Sequence, residues 1–122
     1  MKFYTCSICN QLFLTLFDEG KKPVCCDEAM LALENKKADD KTDDHFPKIR
    51  KVGNFVTISV GDGHPMVDVH HIAMIFMKTN QGFQYRDLSE KSEAKADFIL
   101  AKGETILNAY VYCNVHQLWS LH

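Results

Sequence analysis

The stretch Tyr110-Val111-Tyr112-Cys113-Asn114-Val115-His116-Gln117-Leu118-Trp119 decides how the chain is read. It has the pattern of a last full strand, a tight corner and the start of a short final strand. One thiol and one imidazole stand three residues apart at the corner, next to a bulky aromatic. A cysteine and a histidine at C-x-x-H spacing can fold onto one metal from such a turn. Cys113 has no nearby cysteine to pair with, because the other four lie within the first 26 residues. Any metal held by Cys113 and His116 needs further ligands from elsewhere in the chain.

Upstream of the corner the pattern is β from residue 45 onward. Strands are predicted over 48–52, 55–60, 71–78, 83–88, 96–100, 106–113 and 117–121. Gly53-Asn54, Gly61-Asp62-Gly63, Thr79-Asn80-Gln81-Gly82 and Lys102-Gly103-Glu104 are the turns between them. Seven short strands at this spacing predict an antiparallel sandwich. A short helical turn is expected over 89–95. No internal repeat is visible.

The chain has 122 residues, 46% hydrophobic and 25% charged, which is globular rather than disordered. Its formal net charge of −2 gives no reason to expect nucleic acid as a partner. The longest apolar run, Ile72-Ala73-Met74-Ile75-Phe76-Met77, is far too short for a bilayer. No basic segment followed by an apolar stretch opens the chain, so a cytoplasmic location is the expectation. In that compartment five cysteines point to metal ligands rather than disulfides, and an odd count excludes complete pairing within the chain.

Residues 1–33 read as a module of their own. Cys6-Ser7-Ile8-Cys9 is a C-x-x-C knuckle, 12–17 a short strand, Asp18-Glu19-Gly20 a turn, and Pro23-Val24-Cys25-Cys26 brings a second pair of thiols. So short a segment has too little core to be stable alone, and a structural metal is physically expected. Residues 34–44, Glu-Asn-Lys-Lys-Ala-Asp-Asp-Lys-Thr-Asp-Asp, have one apolar member and read as a linker. The resulting division is a metal module over 1–36 and a β-sandwich over 37–122.

Cys6, Cys9, Cys25 and Cys26 form a four-thiol set. The C-x-x-C turn aims both sulfurs and several backbone N–H groups at one point. Neighbouring residues of a strand point to opposite faces, so Cys25 and Cys26 share a metal only if they sit on a bend. Four sulfurs suit zinc and iron alike.

Six histidines remain for the second centre: His45, His64, His70, His71, His116 and His122. His64 and His70 span roughly 20 Å if extended, so the segment between them must loop to serve one metal; Gly63 and Pro65 suit a loop. His70 and His71 are adjacent and point apart, so one of them faces the metal. His45 stands two residues before Pro47, where an extended backbone is favoured. His71 and His122 are expected to be ordinary surface or hydrogen-bonded residues.

Taken in order, these residues resemble the desulfoferrodoxin family, the two-iron form of superoxide reductase, over nearly the whole length. Cys6-x-x-Cys9, fifteen intervening residues and Cys25-Cys26 followed by Glu28 and Met30 are similar to its rubredoxin-like site, with Asp27 where a glycine is usual. His45-Phe46-Pro47, His64-Pro65-Met66 with His70, and Cys113-Asn114-Val115-His116 with Trp119 resemble its H-x-P, H-P-M-x-x-x-H and C-N-x-H-x-x-W segments. The resemblance implies an immunoglobulin-like sandwich carrying a square-pyramidal iron. His45, His64, His70 and His116 would be equatorial, and Cys113 axial opposite an open position. It also favours iron at the four-thiol site. The implied reaction is one-electron reduction of superoxide to hydrogen peroxide, with an external donor such as rubredoxin, in a homodimer. Amides of Val115 and His116 are expected to reach the Cys113 sulfur. Trp119 is expected either to cover that sulfur or to belong to the core.

One departure stands out. The family has a glutamate and a lysine before the first histidine, where this chain has Asp43 and Asp44. Aspartate is shorter than glutamate, and Asp44 reverses a charge where an anion approaches. Lys41, Lys48 and Lys51 are candidates to compensate. An electron-transfer or oxidant-sensing iron protein with weak superoxide reduction is the alternative reading.

Overall fold

The computed structural model describes residues 1–37, 44–61 and 63–122. The described residues form strands and turns and no helix. The chain divides into two compact units, Met1–Glu34 and Asn35–His122.

In the first unit the strands are β1 (Lys2–Thr5), β2 (Leu12–Thr15), β3 (Val24–Cys25), β4 (Glu28–Ala29) and β5 (Leu31–Ala32). β1 is the middle strand, paired antiparallel with β2 and β5. β3 and β4 form a minimal hairpin in which Cys25 pairs with Glu28. Its two turn residues, Cys26 and Asp27, have φ of +53° and +61°. That is the left-handed bend a two-residue primed turn demands, and it carries Cys25 and Cys26 out of strand alternation. Asp27 thus holds a conformation that favours glycine. The buried cluster is small: Tyr4, Cys6 and Met30, with Phe13 and Cys25 against it.

The second unit begins with β6 (Lys36–Lys37), followed by β7 (Lys48–Val52), β8 (Phe55–Ser59), β9 (Ile72–Thr79), β10 (Gly82–Asp87), β11 (Lys95–Ile99), β12 (Ile106–Cys113) and β13 (Gln117–Ser120). A five-stranded sheet has the order β10-β9-β12-β13-β6, and a three-stranded sheet the order β11-β8-β7. The seven expected strands are present and pair antiparallel. β6 is an addition that joins β13 in parallel, and it lies inside the charged stretch read as linker. The helical turn expected over 89–95 does not form. Ser92 N–H donates to Ser89 O at 2.9 Å, Ser89 N–H donates to Ser92 Oγ, and Lys95 already pairs with Ser59. Serine hydroxyls that capture nearby backbone compete with helix formation.

Alternation builds the core. Val56 and Ile58 of β8, Ala96 and Phe98 of β11, Ile75 and Met77 of β9, and Ala109, Val111 and Cys113 of β12 point into one buried cluster shared by both sheets. Cys113 is the last inward residue of β12, fully buried beneath the corner that follows. The register is irregular there: Tyr112 pairs with Met74, but Cys113 pairs with Ile72. That bulge sets the start of β9, and the histidines before it, beside Cys113.

Candidate metal centres

The four thiols of the first unit are free cysteines whose sulfurs lie within 4.8 Å of one another. Cys9 Sγ is 3.6 Å from Cys25 Sγ, and Cys25 Sγ is 4.0 Å from Cys26 Sγ. These separations are too long for disulfides. Tetrahedral corners this far apart lie about 2.2–2.4 Å from their centre, the length of a metal–thiolate bond, so the sulfurs fit a metal. The amides of Cys9 and Ile8 hydrogen-bond the Cys6 sulfur and lower its pKa to about 7. The neighbouring sulfurs of Cys9 and Cys6 push Cys25 up to about 12. A cation that replaces the shared protons removes that conflict.

In the second unit, donor atoms of His45, His64, His70, Cys113 and His116 also lie within 4.8 Å of one another. Each arrives on a different piece of local structure. His45 lies in a turn over 44–45 rather than in extended backbone, just before β7. His64 N–H donates to Gly61 O across a turn. Val67 and His70 exchange two backbone hydrogen bonds, the loop that the His64–His70 spacing demanded. Three residues separate Cys113 from its pair Gln117, which closes the corner with φ +65°. His116 projects from that corner.

The ring nitrogens define the chemistry. His64 Nδ1 is 2.7 Å from Pro65 O; as donor it leaves Nε2 a lone pair facing the cluster. Burial lowers the His64 pKa, so the neutral ring, which can bind a metal, is favoured. His64 Nε2 is 3.1 Å from His45 Nε2, which is 3.1 Å from His116 Nδ1. A neutral ring nitrogen carries either one proton or one lone pair, so His45 Nε2 serves one of these two neighbours well, not both. His70 Nε2 is buried with no hydrogen-bond partner among the described residues. Donors 3.1 Å apart at right angles lie about 2.2 Å from a common centre, close to a metal–imidazole bond. Convergent lone pairs and an orphaned buried nitrogen fit a metal better than any hydrogen-bond scheme.

Residues around the cluster hold it. Asn114 accepts from His71 N–H at 2.9 Å and donates to Val69 O at 3.2 Å, tying the Cys113 corner to the His70 loop. His71 points away, its Nδ1 3.1 Å from Val67 O. His122 is not among the clustered residues. The Cys113 sulfur lies 3.7 Å from His116 Nδ1; among the described residues neither the Val115 nor the His116 amide bonds to it. Trp119 packs against the core and stacks on the His45 ring, centroids 4.5 Å apart and planes within 8°. Its indole N–H donates to His116 O at 3.1 Å. Lys36 Nζ donates to the same oxygen at 2.8 Å and stands over the indole, 5.7 Å from its centroid. Nothing local in the sequence marked Lys36, which acts at a separation of eighty residues. Asp44 packs its carboxylate against the turn before His64: a Cβ on Gly63 would lie 2.8 Å from Oδ2, and one on Gly61 3.0 Å from Oδ1. Asp43 and Lys41 lie outside the described residues.

A four-thiol module joined to a β-sandwich with four imidazoles and a thiol at one end defines a two-centre metalloprotein. A family model for desulfoferrodoxin matches residues 37–122, and the chain belongs to the desulfoferrodoxin family. It is 31% identical over 120 residues to a desulfoferrodoxin homologue of Archaeoglobus fulgidus, covering 98% of this chain and 94% of the relative. With the desulfoferrodoxin of Clostridium acetobutylicum it shares 31% identity over 107 residues, 87% of this chain and 83% of the other. Among solved structures, the superoxide reductase from Treponema pallidum matches with a TM-score of 0.83 at 30% identity, covering 98% of this chain and 95% of that one. A superoxide reductase from Giardia intestinalis matches with a TM-score of 0.54 at 28% identity, covering 63% and 93%. The fold is that of a superoxide reductase.

Proposed function

We propose that the chain is a superoxide reductase, reducing superoxide by one electron and two protons to hydrogen peroxide. His45, His64, His70, His116 and Cys113 are the ligands of the reacting iron. Cys6, Cys9, Cys25 and Cys26 hold a second iron, with zinc as the other metal suited to four sulfurs. The domains are a rubredoxin-like module over 1–36 and the reductase sandwich over 37–122. The observation that supports the reading is the convergence of five donor atoms within 4.8 Å at the end of the sandwich.

Iron held by these residues would supply one-electron redox chemistry. Four neutral imidazoles and one thiolate leave a divalent ion with a net positive charge, which favours an anionic substrate. Pro65 O holds the His64 proton on Nδ1, Trp119 fixes the plane of His45, and Asn114 keeps the His70 loop against the Cys113 corner. Full burial of Cys113 excludes water from its sulfur, while His116, 3.7 Å from that sulfur through Nδ1, is exposed. An external one-electron donor such as rubredoxin would supply the electron for each turnover. The setting is the cytoplasm, and the working form is a homodimer, for which the outer edges of β7 and β10 suit a second copy.

Asp44 favours a second reading. It stands where the family has a lysine and turns a carboxylate onto the His64 turn, adding negative charge where an anion approaches. An electron-transfer or oxidant-sensing protein with weak superoxide reduction fits that charge. Rapid mixing of the reduced protein with superoxide across ionic strength decides. The expected rate is slower than is usual for the family and rises with salt, because salt screens repulsion. A fast rate that falls with salt would remove the repulsion, and no consumption of superoxide would leave the second reading. Visible absorption of the purified protein separates iron from colourless zinc.

A further inference from the structure

We infer that Lys36 is a positioning residue for the His45–His116 side of the second centre, and that its charge sets how readily a metal there gives up an electron. The inference rests on the iron reading above. An exposed lysine is ordinarily solvated and contributes little. Lys36 differs on three counts. Its backbone is paired with Trp119 through β6 and β13. Its ammonium is 2.8 Å from the His116 carbonyl oxygen, and it lies over the Trp119 ring, a placement that attracts a cation.

The contacts form one clamp. The His116 carbonyl accepts from both Lys36 Nζ and Trp119 Nε1, which uses both of its lone pairs. That fixes the corner from which His116 projects. The same indole is stacked on His45, and the ring nitrogens of His45 and His116 are 3.1 Å apart. Lys36 therefore holds one histidine through its peptide and the other through the ring behind it.

Charge follows from position. A cation hydrogen-bonded to a ligand residue disfavours the oxidised metal, which carries one more positive charge, and so raises the potential. Lys36 brings to this centre positive charge of the kind that position 44 lacks. It does so from β6 rather than from the segment just before His45.

The test uses the full chain as wild type, Lys36→Met, Lys36→Arg and Lys36→Gln. Methionine keeps the length of the stem and removes the charge; glutamine replaces it if methionine does not fold, as judged by thermal unfolding. The midpoint potential of the iron-loaded second centre is titrated in the visible, and cobalt(II) affinity is measured by absorption. Lys36→Met is expected to shift the one-electron equilibrium about tenfold towards the oxidised form, 59 mV downward. Cobalt affinity is expected to rise rather than fall, because the lost charge also opposed a bound divalent cation, with loss of the supporting contact reducing the gain. Lys36→Arg is expected to stay with the wild type in both. A Lys36→Met protein equal to wild type in both overturns the inference. A Lys36→Arg protein that follows Lys36→Met overturns the role of charge. If the wild type consumes no superoxide while its potential still moves with Lys36, the catalytic reading fails and this one stands.

Discussion

The unit Met1–Glu34 clusters only Tyr4, Cys6 and Met30 as buried residues, one of them a thiol of its own donor set, with Phe3 buried as well. Among the described residues, the unit Asn35–His122 buries twelve in one cluster, of which Cys113 alone belongs to the five-donor set. In the first unit the donor set and the core overlap, with Cys6 inside the cluster and Cys25 packed against it. In the second the core is complete without a metal, and four of the five donors stand on turns and loops at its end. A short segment that cannot bury enough apolar surface relies on a metal for its fold, whereas a sandwich can place donors for chemistry on a scaffold already stable.

The strongest way to break this contrast is to strip the metals with a chelator and follow amide exchange. Metal in a small module of this kind is worth about 10–16 kcal/mol of folding energy. Amides of β1 and β2 are expected to exchange freely while those of β9 and β12 stay protected; protection retained in β1 would end the contrast. Next in size is Phe98→Ala, which removes a fully buried ring from the sandwich core. It is expected to cost about 3–5 kcal/mol in the denaturant midpoint of the second unit, leaving the visible spectrum of the first centre intact.

Asn114→Ala sharpens the contrast by touching donors and not core. It is expected to lower metal affinity at the second centre about 10–100-fold, read by competition with a chelator. The accompanying loss of global stability is expected to be about 1 kcal/mol. The smallest effect is Asp27→Gly. Relief of a left-handed aspartate at φ +61°, worth about 1–2 kcal/mol less the chain entropy that glycine loses on folding, is expected to stabilise the first unit by about 0.5–1 kcal/mol, seen as slower metal loss from the four-thiol site alone.

Much of the sandwich was legible because alternation and turns are local. The ends of β7 and β12 fall where apolar periodicity and the Gly53-Asn54 turn predict them. The bend at Cys25-Cys26 followed from strand geometry; adjacency said that His70 and His71 point apart, and the family resemblance said which of them faces the site. The clustered donors were legible as a set only through the family resemblance that their motifs carry in combination, since each histidine alone is ambiguous. What escaped lies in contacts distant in sequence. Lys36 looked like part of a solvated charge run, yet it pairs with Trp119 and bonds to His116. The stacking of Trp119 on His45 could not be told from core packing without the sheet order. Asp44 read as a misplaced charge, but it is also the side chain packed against Gly61 and Gly63. The serines at 89 and 92 defeated a helical expectation through hydroxyl-to-backbone bonds that periodicity does not register.

The burial of Cys113 makes the protein its own unfolding clock. Cys9 and Cys26 are exposed, whereas Cys113 has no accessible surface. In metal-free protein a thiol-alkylating reagent therefore modifies the front of the chain promptly and reaches position 113 only when the sandwich opens. Counting alkylated thiols by mass against time turns one buried sulfur into a measure of how often the whole second unit comes apart.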